Sequence, residues 1–149
     1  HLVSKKLNIP FIDIDNLIES HAAMTISKIF EINGEKYFRG LEEKISLKSL
    51  KNKKSVISLG GGGFINDKIR KNILANHFSF WLDCDDLVLL KRINSSNKRP
   101  LAYKSSDKEL KAIINKRKQI YSEANFKINC NKLTKTEIVK KVIKIYEFN

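Results

Sequence analysis

An α/β chain with a mainly parallel sheet covered by helices on both faces is the architecture this sequence predicts, on three observations. Short β-branched or aromatic runs alternate with segments of helical periodicity. Those runs are apolar throughout instead of alternating with polar residues, the pattern of strands buried on both faces. The ends of the runs carry aspartates and glycines, and ligands of such sheets bind outside the carboxyl ends of the strands. With 149 residues, 42% of them hydrophobic, the chain suits a single domain over residues 1–149 with one core.

The first element, Leu2 to Leu7, has apolar positions at helical spacing, and Asn8 ends it. Ile9 to Ile12, with Ile14, makes the first strand. A helix follows from about Asn16 to Ala23. Thr25 to Ile32 and Glu35 to Leu50 continue helical periodicity, separated by Asn33-Gly34, a C-terminal stop. Val56 to Leu59 is the second strand. Asn66-Asp67 caps a helix to about Asn76, Phe78 to Leu82 is the third strand, and Asp85 to Ser95 is the next helix. Periodicity fails over 95–107, which reads as a long surface loop of the kind that forms lids. A helix from Asp107 to Ala124 and a strand at Phe126 to Ile128 come next. Thr134-Lys135-Thr136-Glu137 is a capping box that opens the last helix, to about Tyr146.

Composition excludes several classes of function. The net charge of +13 raises nucleic-acid binding, yet lysine is scattered along the chain. Its clusters (Lys51, Lys53, Lys54; Lys140, Lys141, Lys144) lack interleaved aromatics, so they read as solvated surface. The aromatics Phe30, Tyr37, Phe38, Phe78, Phe80 and Trp81 sit at helical or strand spacing and read as core. Cys84 and Cys130 form neither a CxxC motif nor a disulfide framework, which fits a reducing compartment. His1, His21 and His77 are isolated, so neither a zinc site nor a Ser-His-Asp constellation is expected. No apolar run reaches the roughly 18 residues of a membrane span. A soluble cytoplasmic protein that binds neither nucleic acid nor membrane is expected.

The chemistry concentrates at the strand ends. Asp13 and Asp15, two apart, would share one face if strand geometry persists; one carboxylate could assist magnesium while the other accepts a hydrogen bond from a substrate hydroxyl. The competing reading is that one of them caps the following helix. Four of the six glycines form the run Gly60 to Gly63, directly after the second strand, where backbone must approach something closely. No Gly-Lys-Ser/Thr follows, so this is not a Walker A loop. Only five of 29 basic residues are arginine: Arg39, Arg70, Arg92, Arg99 and Arg117. In a lysine-rich chain they mark places that need a planar fork for carboxylate or phosphate.

Taken in order, Phe11-Ile12-Asp13-Ile14-Asp15, Ile29-Phe30, Gly34-Glu35, Phe38-Arg39-Gly40-Leu41-Glu42, Ser58-Leu59-Gly60-Gly61-Gly62, Trp81-Leu82-Asp83, Arg99-Pro100-Leu101 and Arg117 to Tyr121 resemble the shikimate kinases. The resemblance spans nearly the whole chain. It implies a P-loop NTPase fold of the nucleoside monophosphate kinase type, three-layered αβα, and an enzyme that phosphorylates the 3-hydroxyl of shikimate with ATP and Mg2+. It implies that Asp13 assists the metal and that Asp15 binds the acceptor hydroxyl as orienting group or base. Arg39 and Arg117 would grip the substrate carboxylate, and Gly60, Gly61 and Gly62 would offer backbone N–H groups. Arg99, on the lid, would stabilise the transferring phosphoryl group, with Arg92 near the nucleotide. A monomer acting on shikimate and ATP is expected.

Two departures stand beside the resemblance. Lys118-Gln119-Ile120-Tyr121 follows Arg117 where the family has Pro-Leu-Tyr. The family's first strand and its Gly-x-x-Gly-x-Gly-Lys-Ser/Thr loop are absent from the sequence, whose first residues look like the helix after that loop. The resemblance therefore implies an N-terminally truncated chain, inactive as it stands, with a strand missing between the second and third. The rival readings are another kinase of the same fold, such as a gluconate kinase, and a non-catalytic basic binding module.

Overall fold

The computed structural model describes residues 1–94 and 106–149; the expected lid over 95–107, with Arg99, lies almost wholly outside them. Helix α1 (Leu2–Leu7) stops at Asn8, which takes the left-handed conformation at φ 52°, one that asparagine tolerates. Strand β1 (Phe11–Asp13) is shorter than the pattern predicts. The predicted strand includes Ile14, but Asp13 Oδ1 accepts a hydrogen bond from Asn16 N at 3.2 Å and caps helix α2 (Ile14–Ala22). A carboxylate that captures a free amide of the first turn starts a helix, so α2 begins two residues earlier than expected and turns Ile14 into the core. The shared strand face of Asp13 and Asp15 is thereby lost: Asp15 lies in the first helical turn.

Helix α3 (Ile26–Ser49) is capped by Thr25 and kinked at Gly34, whose φ of 80° favours glycine. The expected break at Asn33-Gly34 is present: Gly34, at φ 80° and ψ 172°, leaves helical geometry and divides the element into two helical segments. Strand β2 (Val56–Ser58) leads through the glycine run into a 3-10 turn, Gly63–Ile65, that periodicity does not predict. Asn66 caps helix α4 (Asp67–Asn76), its Oδ1 accepting from both Lys68 N and Ile69 N at 2.9 and 3.1 Å. Strand β3 (Phe80–Asp83) and helix α5 (Asp86–Asn94) follow, Asp85 accepting from Leu87 N. Helices α6 (Asp107–Tyr121) and α7 (Lys135–Glu147), either side of strand β4 (Phe126–Asn129), both open on complete capping boxes, Ser106 with Glu109 and Thr134 with Glu137.

The pairing is parallel, as predicted, β1 on β2 with Phe11 opposite Val56 and β3 on β4 with Phe80 opposite Phe126. Among the described residues these are two two-stranded sheets, with no pairing between β2 and β3. A cleft of about 1090 Å³ separates them, lined by Val56, Ile57, Phe80 and Trp81 and closed off by Leu7 of α1 and Val142 of α7.

Burial is divided accordingly. One cluster gathers Ile14, Ile18, Ile29, Phe38 and Leu41 beneath α2 and α3; a second gathers Leu50, Phe64, Ile69 and Ile73; Ile57 and Leu59, either side of the end of β2, pack against both. A third, Leu90, Leu110 and Ile114, joins α5 to α6. The expectation that the aromatics are core holds for Phe38 but not for Tyr37 and Phe78, which are 51% and 48% exposed. Helical period decides which side of a turn faces the core, and Tyr37, adjacent to Phe38, falls on the other. No helix among the described residues is long and apolar enough to cross a membrane.

Replacing Asn66 by alanine leaves two amides of α4 without their acceptor and is expected to cost about 1 to 2 kcal/mol, read as a lowered denaturant midpoint at unchanged slope. Glu109 and Glu137 are held below the usual carboxylate range by hydrogen bonds from Ser106 and Thr134. Groups with lowered folded values stabilise the fold above their ordinary pKa of 4.5 and lose that contribution as pH falls through the folded value. Circular dichroism of the double variant Glu109→Gln, Glu137→Gln should therefore show less acid-dependent loss of helix than the parent chain below pH 4.5.

Candidate active site

The glycine run leaves β2 in a tight turn closed by Gly63 N donating to Gly60 O at 3.0 Å. None of Gly60, Gly61 and Gly62 needs a left-handed backbone; at two of them a Cβ would overlap a neighbouring side chain. A Cβ on Gly60 would overlap Oδ1 of Asp15, and a Cβ on Gly62 would overlap the Arg39 guanidinium, 2.9 Å from its Cζ. At Gly61 the corresponding neighbour is Nη1 of Arg117, at an ordinary 3.5 Å. Asp15 from α2, Arg39 from α3 and Arg117 from α6 thus converge on three consecutive glycines, the six positions that the resemblance implies for the acceptor. The carboxylate and the two forks arrive from three different helices.

Arg39 is held by acids on its own helix. Its Nη1 donates to Glu42 Oε2 at 2.7 Å and its Nε to Glu35 Oε1 at 3.2 Å. Burial pulls the Arg39 pKa down, but hydrogen bonds and charge from Glu42, then Glu35, outweigh it and hold the group above its ordinary value. Glu42 is 2% exposed, and its Oε1 stands 3.3 Å from the Cβ position of Gly60. A charge so buried requires its partner. Nη2 of Arg39 keeps its N–H groups for another acceptor. Arg117, half-buried, makes no ion pair among the described residues.

Other side chains clamp the turn itself. Tyr121 Oη donates to Gly61 O at 2.6 Å. Arg70 reaches around the 3-10 turn: Nη1 donates to Phe64 O and Ile65 O at 3.2 and 3.1 Å, Nε donates to Glu123 Oε2 at 2.9 Å, and Nη2 pairs with Asp67. Sequence reasoning missed Glu42, Arg70 and Tyr121 as parts of the site. The scarcity of arginine singled out Arg70, but its fork binds backbone carbonyls and protein carboxylates instead of a ligand. Glu42 was visible only as the residue three positions after Arg39, on the same face of the helix.

The remaining expected site residues stand apart. Asp13, at the end of β1, spends Oδ1 on capping α2 and keeps Oδ2. Arg92, exposed on α5, lies by the other sheet, its Nη1 3.9 Å from Sγ of Cys84. Arg99 is outside the described residues. Among the described residues no cluster of three or more histidines, cysteines or acids is arranged to hold a metal. Of the aspartates at the end of β3 and just after it, Asp85 caps α5. Asp83 pairs with Lys127 at 3.0 Å and Asp86 with Lys118 at 2.6 Å.

A parallel α/β fold whose β2 opens into a glycine turn ringed by an aspartate and two arginines belongs to the P-loop small-molecule kinases, and solved structures of such kinases superpose on it. The crystal structure of shikimate kinase from Aquifex aeolicus matches with a TM-score of 0.86 at 34% identity, covering 98% of this chain and 86% of that one. Shikimate kinase from Acinetobacter baumannii in complex with shikimate matches with a TM-score of 0.91 at 25% identity, covering 99% and 83%. The shikimate kinase family model matches residues 1–147. The shikimate kinase of Bartonella quintana is 37% identical over 95% of this chain and 68% of its own length. This chain belongs to the shikimate kinase family; it is of the phosphotransferase class, with ATP as the co-substrate its family implies.

Alanine at the three glycines separates space from backbone. Gly61→Ala should change stability by no more than about 0.5 kcal/mol. Gly60→Ala displaces only the end of the Asp15 side chain and should cost little more. Gly62→Ala drives the Arg39 guanidinium from its place beside the buried Glu42 and should cost about 1 to 3 kcal/mol. Urea midpoints of the three variants test the order; equal midpoints would contradict it.

Proposed function

We propose that the glycine turn with Asp15, Arg39 and Arg117 is the acceptor site, binding shikimate and presenting its 3-hydroxyl to the γ-phosphoryl group of ATP. The observation that carries this reading is the convergence of one carboxylate and two guanidinium forks on the space left by Gly60 to Gly62. A ring carboxylic acid with hydroxyls needs cations at one end and a hydrogen-bond acceptor at the other. Arg117 and the remaining N–H groups of Arg39 bind the carboxylate. Glu42 and Glu35 fix the Arg39 plane beforehand, so that little side-chain freedom is lost on binding.

Asp15 accepts the hydrogen bond of the attacking hydroxyl. Its carboxylate oxygen sits against Gly60, which aligns the oxygen nucleophile and gives its proton a destination as the bond to phosphorus forms. Transfer of a phosphoryl group asks the protein chiefly for position and charge neutralisation. Of the chain's other arginines, Arg92 is assigned to the nucleotide side. Arg99 is assigned to the transferring group on the sequence resemblance alone.

Magnesium, which this family chemistry implies, fits the donor set only loosely. Oδ2 of Asp13 is the carboxylate oxygen that capping leaves over, and one carboxylate with retained waters and substrate phosphates suits an ion that dehydrates reluctantly. When bound, the ion neutralises phosphate charge. A cytoplasmic location fits a small-molecule kinase of this family.

Calorimetric titration with shikimate, with gluconate as control, tests the acceptor site. Selective shikimate binding is expected. Arg117→Lys should weaken it by about 1 to 3 kcal/mol, because a charged bidentate donor becomes a point charge. Equal affinity for gluconate, or an unchanged affinity in the Arg117 variant, would overturn the assignment.

A further inference from the structure

The two cysteines, 46 positions apart in sequence, are brought side by side at the carboxyl ends of β3 and β4. Asp83 and Asn129 are the last paired residues of that ladder, and Cys84 and Cys130 each come next. The pairing runs on past the strands, because Cys130 N donates to Asp83 O at 2.8 Å. Neighbouring strands lie about 4.8 Å apart, inside the Cα separation of roughly 4.4 to 6.8 Å that a disulfide spans. Residues at equivalent positions of adjacent strands point to the same face. The Cys84 thiol is near enough to help raise the pKa of Cys130, and both side chains are partly accessible.

We propose that Cys84 and Cys130 form a reversible intramolecular disulfide, a redox-modification site at the end of the β3–β4 sheet, made by exchange with a low-molecular-weight disulfide such as oxidised glutathione. The thiolate of Cys84 attacks one sulfur of the reagent, forming a mixed disulfide and expelling one glutathione thiolate. Cys130 then gives its proton to solvent and attacks Sγ of Cys84. The mixed disulfide breaks, and the second glutathione leaves. Two protein thiols are oxidised while one reagent disulfide is reduced to two thiols.

The order of attack follows from the surroundings. The Cys130 thiol donates to Ile128 O at 3.4 Å, and burial, followed by the charge and hydrogen bond of Cys84, pushes its pKa up to about 11. It is therefore protonated near neutral pH and serves as the resolving sulfur; closure accelerates as pH rises toward that value. Cys84 has the Arg92 guanidinium beside it, with Nη1 3.9 Å from its sulfur. Closing the bridge adds a covalent tie between two strand ends that the β3–β4 ladder already pairs.

Incubation of the folded chain with oxidised glutathione, alkylation of remaining thiols and mass mapping of unreduced peptides tests this. A peptide pair linked through Cys84 and Cys130 is expected, at least about 10-fold over glutathione adducts because the second thiol acts at high effective concentration. Dithiothreitol should remove the link and return the thermal midpoint, raised in the oxidised chain, to its starting value. Cys130→Ser should stop at a glutathione adduct on Cys84, whereas Cys84→Ser, left with a thiol protonated near neutral pH, should form its adduct much more slowly. Adducts on both cysteines without the linked pair, or links only between separate chains, would overturn the proposal.

Discussion

The site depends on a buried ion pair one helical turn long. Glu42 is almost wholly removed from water and would not be tolerated as an isolated charge; Arg39 supplies its counter-charge at 2.7 Å. The pair does more than neutralise itself. It fixes the guanidinium against Gly62 and sets Glu42 against Gly60, so the path of the glycine turn, the plane of Arg39 and the position of Asp15 are mutually constrained. A side chain larger than hydrogen at either glycine has nowhere to go without moving one of these charges. The glycine run is therefore a steric requirement of the ion pair more than a requirement for unusual backbone angles.

Around this pair the fold uses arginine and lysine for different tasks. Arg70, only 13% exposed at its side chain, binds two carbonyls of the 3-10 turn while pairing with Glu123 and Asp67, an arrangement that needs a fork with several donors. Lysines pair singly and near solvent, as Lys68 does with Glu43 and Lys127 with Asp83. Such pairs contribute little individually. The large positive charge thus lies mostly on the surface, while the scarce guanidinium groups at Arg39 and Arg70 hold buried or half-buried structure together.

The described sheet is divided in two, and the division shapes the energetics. A two-stranded sheet is marginal unless something packs on its faces. Here α2, α3 and α4 cover the β1–β2 pair through two clusters that share Ile57 and Leu59, while Tyr121 of α6 contacts both Phe64 and Trp81 and so links the halves. The glycine turn lies on the better-packed half. The cleft between β2 and β3 exposes strand edges and apolar side chains together, which makes it the least satisfied part of the described structure.

The elements and their caps were legible in the sequence because they are local. Asn8, Thr25, Asn66 and Thr134 each meet orphan amides or carbonyls within a few residues, and the kink at Gly34 needs only its own backbone. At Asp13 and Asp15 two local readings competed, and the capping one prevailed: Asp13 captured the amide of Asn16 and converted the end of a strand into a helix start. The family resemblance implied Asp15, Arg39, Arg117 and the glycines as neighbours, and they do converge. The sequence could not say that Glu42 would be buried beneath Arg39, that Arg70 would clasp carbonyls instead of ligand, that Tyr121 would fix Gly61, or that Cys84 and Cys130 would meet. Those contacts join residues on separate helices and strands or depend on which face is covered. They are decided when apolar faces pack and set the directions of polar side chains, a choice that no short stretch of sequence contains.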